Sequence, residues 1–351
     1  MKQKKKGKCF GSVALVLLCG LLLGGCGKVS REHIDIAMEN IADHEYEMAL
    51  AQIEQAAAAG EDERLLYRAQ GIAYMGLTRY EDAVDSFELA LSCSSGLPQN
   101  MDYDMNYYLA TAYYKLGDVS SAVRIYDTII GLKPKEKDAY YLRGSVKLKE
   151  GDYEAAKQDF DTAISLAATD FDQLLDIYQV LADCGYEEVG RSYLQTAIDT
   201  DAKEMSDYNK GRIYFYLGNY EDARDYLERA RDNSGADAVL YLGRTWEILG
   251  DYNYAASVYL SQVAEHPNAE VYNQLGMCRL KMNDPEGALE AFKNGQQVED
   301  CTIRQTLQFN EIVAYEKLGR FDQAASLMKE YLRAYPDDEQ AQRENQFLKT
   351  R

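Results

Sequence analysis

Small side chains recur along this chain at a near-fixed interval, and that recurrence limits the folds open to it. Ala49, Ala83, Ala122, Ala156, Gly190, Ala223, Ala255, Ala288 and Ala324 are separated by 34, 39, 34, 34, 33, 32, 33 and 36 residues. Parts of one pattern recur around them: a glycine twelve residues before, a tyrosine nine before, an apolar residue four after and an alanine seven after. The stretch Gly211–Ala230, GRIYFYLGNYEDARDYLERA, shows the unit most plainly. It reads as two short amphipathic helices with a turn at Leu217–Gly218–Asn219. Gly211, Ala223 and Ala230 are small where the helices must touch, and Tyr214, Tyr220 and Leu227 fill the space around them. Such a unit is too small to bury its own apolar faces and needs copies of itself on either side.

Several copies carry most of the pattern. One has Tyr67, Gly71, Tyr74, Tyr80, Ala83, Phe87 and Ala90, and another has Tyr140, Gly144, Gly151, Tyr153, Ala156, Phe160 and Ala163. A third has Leu242, Gly243, Trp246, Gly250, Tyr252, Ala255, Tyr259 and Pro267. This pattern resembles the tetratricopeptide repeat, a helix–turn–helix unit of about 34 residues. The resemblance covers residues 31–337 and implies an all-α fold, a right-handed superhelix (α-solenoid) of about nine such units. Three copies depart from the pattern. The first has Ala37 for the packing glycine, and the ninth has Ile312. The fifth has Tyr178 where glycine is usual and Gly190 where alanine is usual. Terminal copies are expected to be atypical, whereas the fifth is internal and its exchange of large and small points to altered local packing.

Two intervals exceed the period. Gly96, Pro98 and Asn100 mark Ser92–Asp104 as an inserted loop, and Gln297–Arg304 adds a few residues further on. Residues 338–351 are polar except near Phe347 and Leu348, the expected pattern of a helix that caps the last repeat.

The chain opens with Lys2, Lys4, Lys5, Lys6 and Lys8, then an apolar run from Val13 to Leu23, then Leu23–Gly24–Gly25–Cys26. A basic start, a short apolar core and small residues at a cut site make residues 1–25 a secretory signal. The run is too short for a bilayer-spanning helix, which needs about 20 residues. Its end resembles the bacterial lipobox, which implies cleavage before Cys26 and transfer of a diacylglyceryl group to the Cys26 thiol. Residues 26–30 then form a tether whose last four residues reach only about 13 Å. These expectations place the protein outside the cytoplasm, lipid-anchored at the cell membrane.

The formal net charge is −20, and five of the lysines lie in the first 25 residues, so the rest is more acidic still. Such a surface disfavours nucleic acid. The three histidines, His33, His44 and His266, are scattered, and no zinc-protease, nucleophile-elbow, dinucleotide or phosphate-loop motif occurs. After Cys26, the cysteines Cys93, Cys184, Cys278 and Cys301 form no CxxC pair. Neither a metal, a cofactor nor a catalytic residue is expected, and the chain reads as a non-enzymatic scaffold.

In the family that the repeats resemble, first helices line a concave groove. The matching positions here include Arg68, Tyr107, Tyr114, Lys115, Tyr141, Lys149, Tyr208, Arg212, Phe215, Tyr216, Arg244 and Phe309. This groove is aromatic with interspersed basic residues, and Tyr and Arg commonly anchor interfaces. The expected partner is a peptide or protein segment carrying some acidic side chains. The alternative is a wall glycan whose sugar rings stack on the aromatic faces.

Overall fold

The computed structural model describes residues 30–351, apart from 202, 204 and 300. The signal segment, Cys26 and most of the tether therefore lie outside the described residues. Among those described there are nineteen α-helices and no strand. Eighteen follow one another as nine consecutive pairs. In order these are α1 (Glu32–Ala42) and α2 (Tyr46–Ala59), α3 (Glu63–Gly76) and α4 (Tyr80–Ser92), and α5 (Asn100–Lys115) and α6 (Val119–Leu132). Then come α7 (Lys137–Lys149) and α8 (Tyr153–Leu166), α9 (Phe171–Asp183) and α10 (Glu187–Asp201), and α11 (Asp207–Leu217) and α12 (Tyr220–Ala230). The last are α13 (Gly235–Ile248) and α14 (Tyr252–Glu265), α15 (Ala269–Lys281) and α16 (Pro285–Gln296), and α17 (Arg304–Lys317) and α18 (Phe321–Ala334), followed by α19 (Glu339–Leu348). By contact the chain divides into two compact units, one ending at Ile125 and the other running from Tyr126 to Arg351.

Each pair closes through the same turn. One residue between the two helices takes a positive φ, from 58° to 88°: His44, Thr78 and Asn283 in three pairs, and Gly117, Gly151, Gly185, Gly218, Gly250 and Gly319 in the others. Glycine has no Cβ to clash in this conformation, which is why it dominates. The backbone then folds back, as when Asn219 N–H donates to the Tyr214 carbonyl at 2.9 Å and Arg79 N–H to that of Tyr74, also at 2.9 Å. Aspartates restart the chain: the side chains of Asp152, Asp251 and Asp284 accept from backbone N–H groups in the first turns of α8, α14 and α16.

Within a hairpin, a large side chain of the second helix occupies the space left by a missing Cβ on the first. A Cβ on Gly71 would lie 2.6 Å from the Phe87 ring, and one on Gly144 would lie 2.9 Å from Phe160. Gly211 meets Leu227, Gly243 meets Tyr259 and Gly276 meets Phe292 in the same way. The fifth hairpin inverts the arrangement. There the ring of Tyr178, on α9, covers Gly190 on α10, where a Cβ would lie 2.9 Å from the ring and 3.2 Å from the Tyr178 Cα. The exchange of large and small read from the sequence is thus a knob moved from one helix to its neighbour.

The interval between α4 and α5 is shorter than its composition suggests. Only residues 93–99 are outside a helix, because α5 starts at Asn100. Asp102 explains the early start: its carboxylate accepts from Gln99 N–H at 2.6 Å and pairs with Arg64 at 2.6 Å. Leu97, at the loop tip, is 88% exposed.

At the other end α19 packs on α18, with Ala341 and Leu348 buried and Phe347 edge-on to Phe321. Glu316 of α17 faces Glu344 of α19. Burial and the Glu344 carboxyl push Glu316 up to about 7, against a smaller opposing effect of Lys317. Because Glu316 holds its proton more tightly folded than unfolded, this end is most stable below the ordinary carboxylate range. Stability is lost as pH rises through about 7. Glu316→Gln should therefore raise the melting temperature at about pH 8 and flatten its decline above about pH 5. Thermal unfolding across that range checks this, and an unchanged decline in the variant would contradict it.

Candidate partner-binding face

The first helices of the second unit share a face. Helix α7 touches α9, α11 touches α13, and α13 touches α15. Helix α11 is held at both ends, by the Ser206 hydroxyl accepting from Asn209 N–H at 3.2 Å and by Gly218. Its residues Tyr208, Arg212 and Tyr216 are four apart and form one stripe along the helix.

Side chains from three first helices converge on that stripe. The Arg212 guanidinium lies 4.4 Å from the Tyr208 ring centroid and donates to Asp172 of α9 and to Asn209, both at 2.6 Å. Its Nε is buried without a hydrogen-bond partner. Tyr178 of α9 lies 5.1 Å from Tyr216, ring to ring. From α13, Tyr241 stands edge-on to Tyr208, Phe215 and Tyr216, and its hydroxyl is 3.2 Å from that of Tyr216. Burial, followed by the hydrogen bond to Tyr216, pushes the Tyr241 phenol well above its ordinary value, so it stays neutral at physiological pH.

The expected groove residues fall into distinct surroundings. Tyr208, Arg212 and Tyr216 are half-buried and adjacent. Phe215 is only 8% exposed and belongs to the core, packed edge-on against Tyr216, Tyr220 and Tyr241. Arg244 is exposed, with its guanidinium 5.3 Å from the centre of the Phe215 ring. Tyr141 is half-buried, and its phenol is raised by burial and then by Asp176. Lys149 ends α7 and is exposed, and Phe309 tilts against Tyr331 of α18 at 5.8 Å. In the first unit, Arg68 reaches Asp104 at 2.6 Å, Tyr107 and Tyr114 are half-buried, and Lys115 is exposed. The structure thus gathers Tyr208, Arg212, Phe215, Tyr216 and Arg244 in one place.

Tyr241 and Tyr178 were not among the expected groove residues. Tyr241 sits between the positions that point into the family's groove, so spacing passes over it. Tyr178 had a signal, since a large residue replaces the packing glycine, but its reach towards Tyr216 follows only from the three-dimensional packing.

Comparison with known proteins bears on the repeats themselves. The sequence profile of the tetratricopeptide repeat matches residues 35–98, 107–172, 208–270 and 273–339, well over half the chain. The chain belongs to the tetratricopeptide repeat family. Solved structures similar to it include a tetratricopeptide repeat protein from Parabacteroides merdae, 14% identical, with a TM-score of 0.43 over 71% of this chain and 98% of that one. Yeast Tom70 is 14% identical, with a TM-score of 0.52 over 91% of this chain and 80% of its own. YrrB, described as a tetratricopeptide protein with an unusual peptide-binding site, is 23% identical, with a TM-score of 0.36 over 48% of this chain and 85% of its own. An array of these repeats suggests a protein-interaction scaffold, and no catalytic family is indicated.

The surroundings of these side chains separate structural from surface roles. Phe215→Ala should cost about 3–5 kcal/mol, the range for emptying a buried aromatic site. Asp172→Ala, whose carboxylate is 80% exposed, should cost less than about 1 kcal/mol. Chemical denaturation of the two variants checks this, and equal losses would contradict it.

Proposed function

We propose that this protein is a lipid-anchored scaffold of the bacterial envelope that holds a peptide or protein segment on the first-helix face of its second unit. The observation that carries the reading is the cluster of Tyr178, Tyr208, Tyr216 and Tyr241 beside Arg244. Rings with few rotatable bonds give contact area at small entropic cost, and an Arg that a ligand covers adds a directional anchor.

The charges on this face narrow the ligand. Asp172 occupies Arg212, while Lys137 is shared between Asp138 and Asp170. Arg244 makes no ion pair with any described residue and is open to an incoming anion. A segment with an apolar or aromatic body and one well-placed carboxylate matches this arrangement. Guanidinium and carboxylate pair through parallel hydrogen bonds, which would fix the register of such a segment. The anchoring part of the proposal rests on the basic and apolar start of the chain and on the small residues before Cys26.

One set of variants tests both parts. Cys26→Ser should move the protein from the membrane to the soluble fraction, because stable anchoring needs more than one hydrophobic signal. Tyr208→Ala with Arg244→Ala should weaken peptides selected from an acidic–aromatic library by at least about tenfold while leaving a cooperatively folded, helical chain. Membrane retention of the cysteine variant would refute the anchor. Unchanged peptide affinity, or selective retention of purified wall glycan instead, would refute the peptide reading.

A further inference from the structure

A second feature lies in the first unit. In a stack of hairpins, each second helix leaves a cleft against the first helix of the next. A fixed position on the second helix, eight residues after the recurring small residue, points towards that cleft. It is Leu91, Ile130, Ile164, Ile198, Val263 or Leu332 in six of the nine hairpins, and Arg231 or Gln296 in two. In the first hairpin it is Ala57.

Four of these positions line cavities of different size. The cleft between α8 and α9, with Ile164 in its wall, holds about 70 Å³. The cleft between α14 and α15, with Val263, holds about 120 Å³. A cavity lined mainly by α17 and α18, with Gln296 of α16 at its edge, holds about 260 Å³. Between α2 and α3, where Ala57 stands, the cavity reaches about 670 Å³. Its deep wall is apolar, made by Ile53 and Leu66, and the Tyr67 and Tyr74 rings flank it.

Its rim is acidic. Glu47, Glu54 and Glu63 line the cleft and are exposed. Among the described residues the one basic side chain lining it, Arg79, is already committed to Asp82 at 2.8 Å and lies 4.5 Å from the centre of the Tyr74 ring. Glu61 takes no part in the rim, because it is buried and accepts the backbone N–H groups of His33 and Ile34. Glu47 and Glu54 are seven residues apart on α2, a rise of about 10 Å along the helix. Residues three apart in an extended strand span the same distance, about 10 Å.

We propose that this cleft is a docking site for a basic segment of a partner protein, which supplies from outside the aliphatic side chain that six of the other hairpins supply from within. One Leu- or Ile-sized side chain enters the space above Ala57. Lysine or arginine residues on either side of it meet Glu47, Glu54 and Glu63. Shape gives the need for an aliphatic knob, and charge gives its flanks. The site is independent of the aromatic face in the second unit.

The test uses the purified chain and a peptide with one leucine between lysine pairs, Lys-Lys-Leu-Lys-Lys, followed by titration calorimetry. Ala57→Leu refills the cleft with the residue type of the other hairpins. It should lower peptide affinity at least about tenfold while holding or raising the melting temperature. Replacing the peptide leucine by alanine should cause a similar loss. A triple Glu47→Gln, Glu54→Gln, Glu63→Gln variant should weaken binding and remove most of its salt dependence. Tyr208→Ala should leave binding unchanged, which separates this site from the aromatic face. Absence of saturable binding, equal affinity for the Ala57→Leu chain, or equal affinity for the alanine peptide would each overturn the proposal.

Discussion

The close approach of two helices at a position without a side chain sets the rest of this structure. Where Gly71 faces Phe87, or Gly144 faces Phe160, the ring lies against backbone, at a distance no Cβ would permit. This contact brings the helices of a hairpin together and leaves apolar surface on their outer sides. Neighbouring hairpins then cover that surface, so burial is spread along each unit in successive clusters and not gathered into one core. The consequence is a row of equivalent first helices whose other side chains are free of packing duty and open to selection for binding.

Much of this was legible in the sequence because the constraint acts on residue size at a fixed spacing. The period located the hairpins, and the Leu217–Gly218–Asn219 turn was readable from local chemistry. The start of α5 was not. Gly96, Pro98 and Asn100 suggested a loop as far as Asp104, but Asp102 pairs with Arg64 on a neighbouring helix and caps α5 early. That long-range pairing has no local signal. The fifth hairpin is intermediate: the Tyr178 and Gly190 exchange was visible, but only coordinates show one residue filling the space left by the other.

The proposed binding face shows the same division. The resemblance to the family singled out Tyr208, Arg212 and Tyr216, but gave no means to separate Phe215, which is core, from its half-buried neighbours. Nor does sequence say that Asp172 occupies Arg212 while Arg244 stays open. These are properties of adjacent repeats in contact. The cleft above Ala57 follows from the same logic in reverse: a repeat sequence makes a missing side chain conspicuous, and the structure gives the missing volume a size. The two features lie in different units, one aromatic with an open cation and the other apolar with an acidic rim. They call for ligands of opposite charge.

Size complementarity between facing positions is the premise beneath all of this, and a double-mutant cycle at Gly71 and Phe87 measures it directly. Gly71→Ala alone should destabilise the first unit, because its Cβ would meet the Phe87 ring at 2.6 Å. Phe87→Leu alone should leave a partial cavity. Together they should recover part of the loss, with a favourable coupling of at least about 1 kcal/mol, as expected for residues in contact. Strictly additive losses in the double variant would contradict the account.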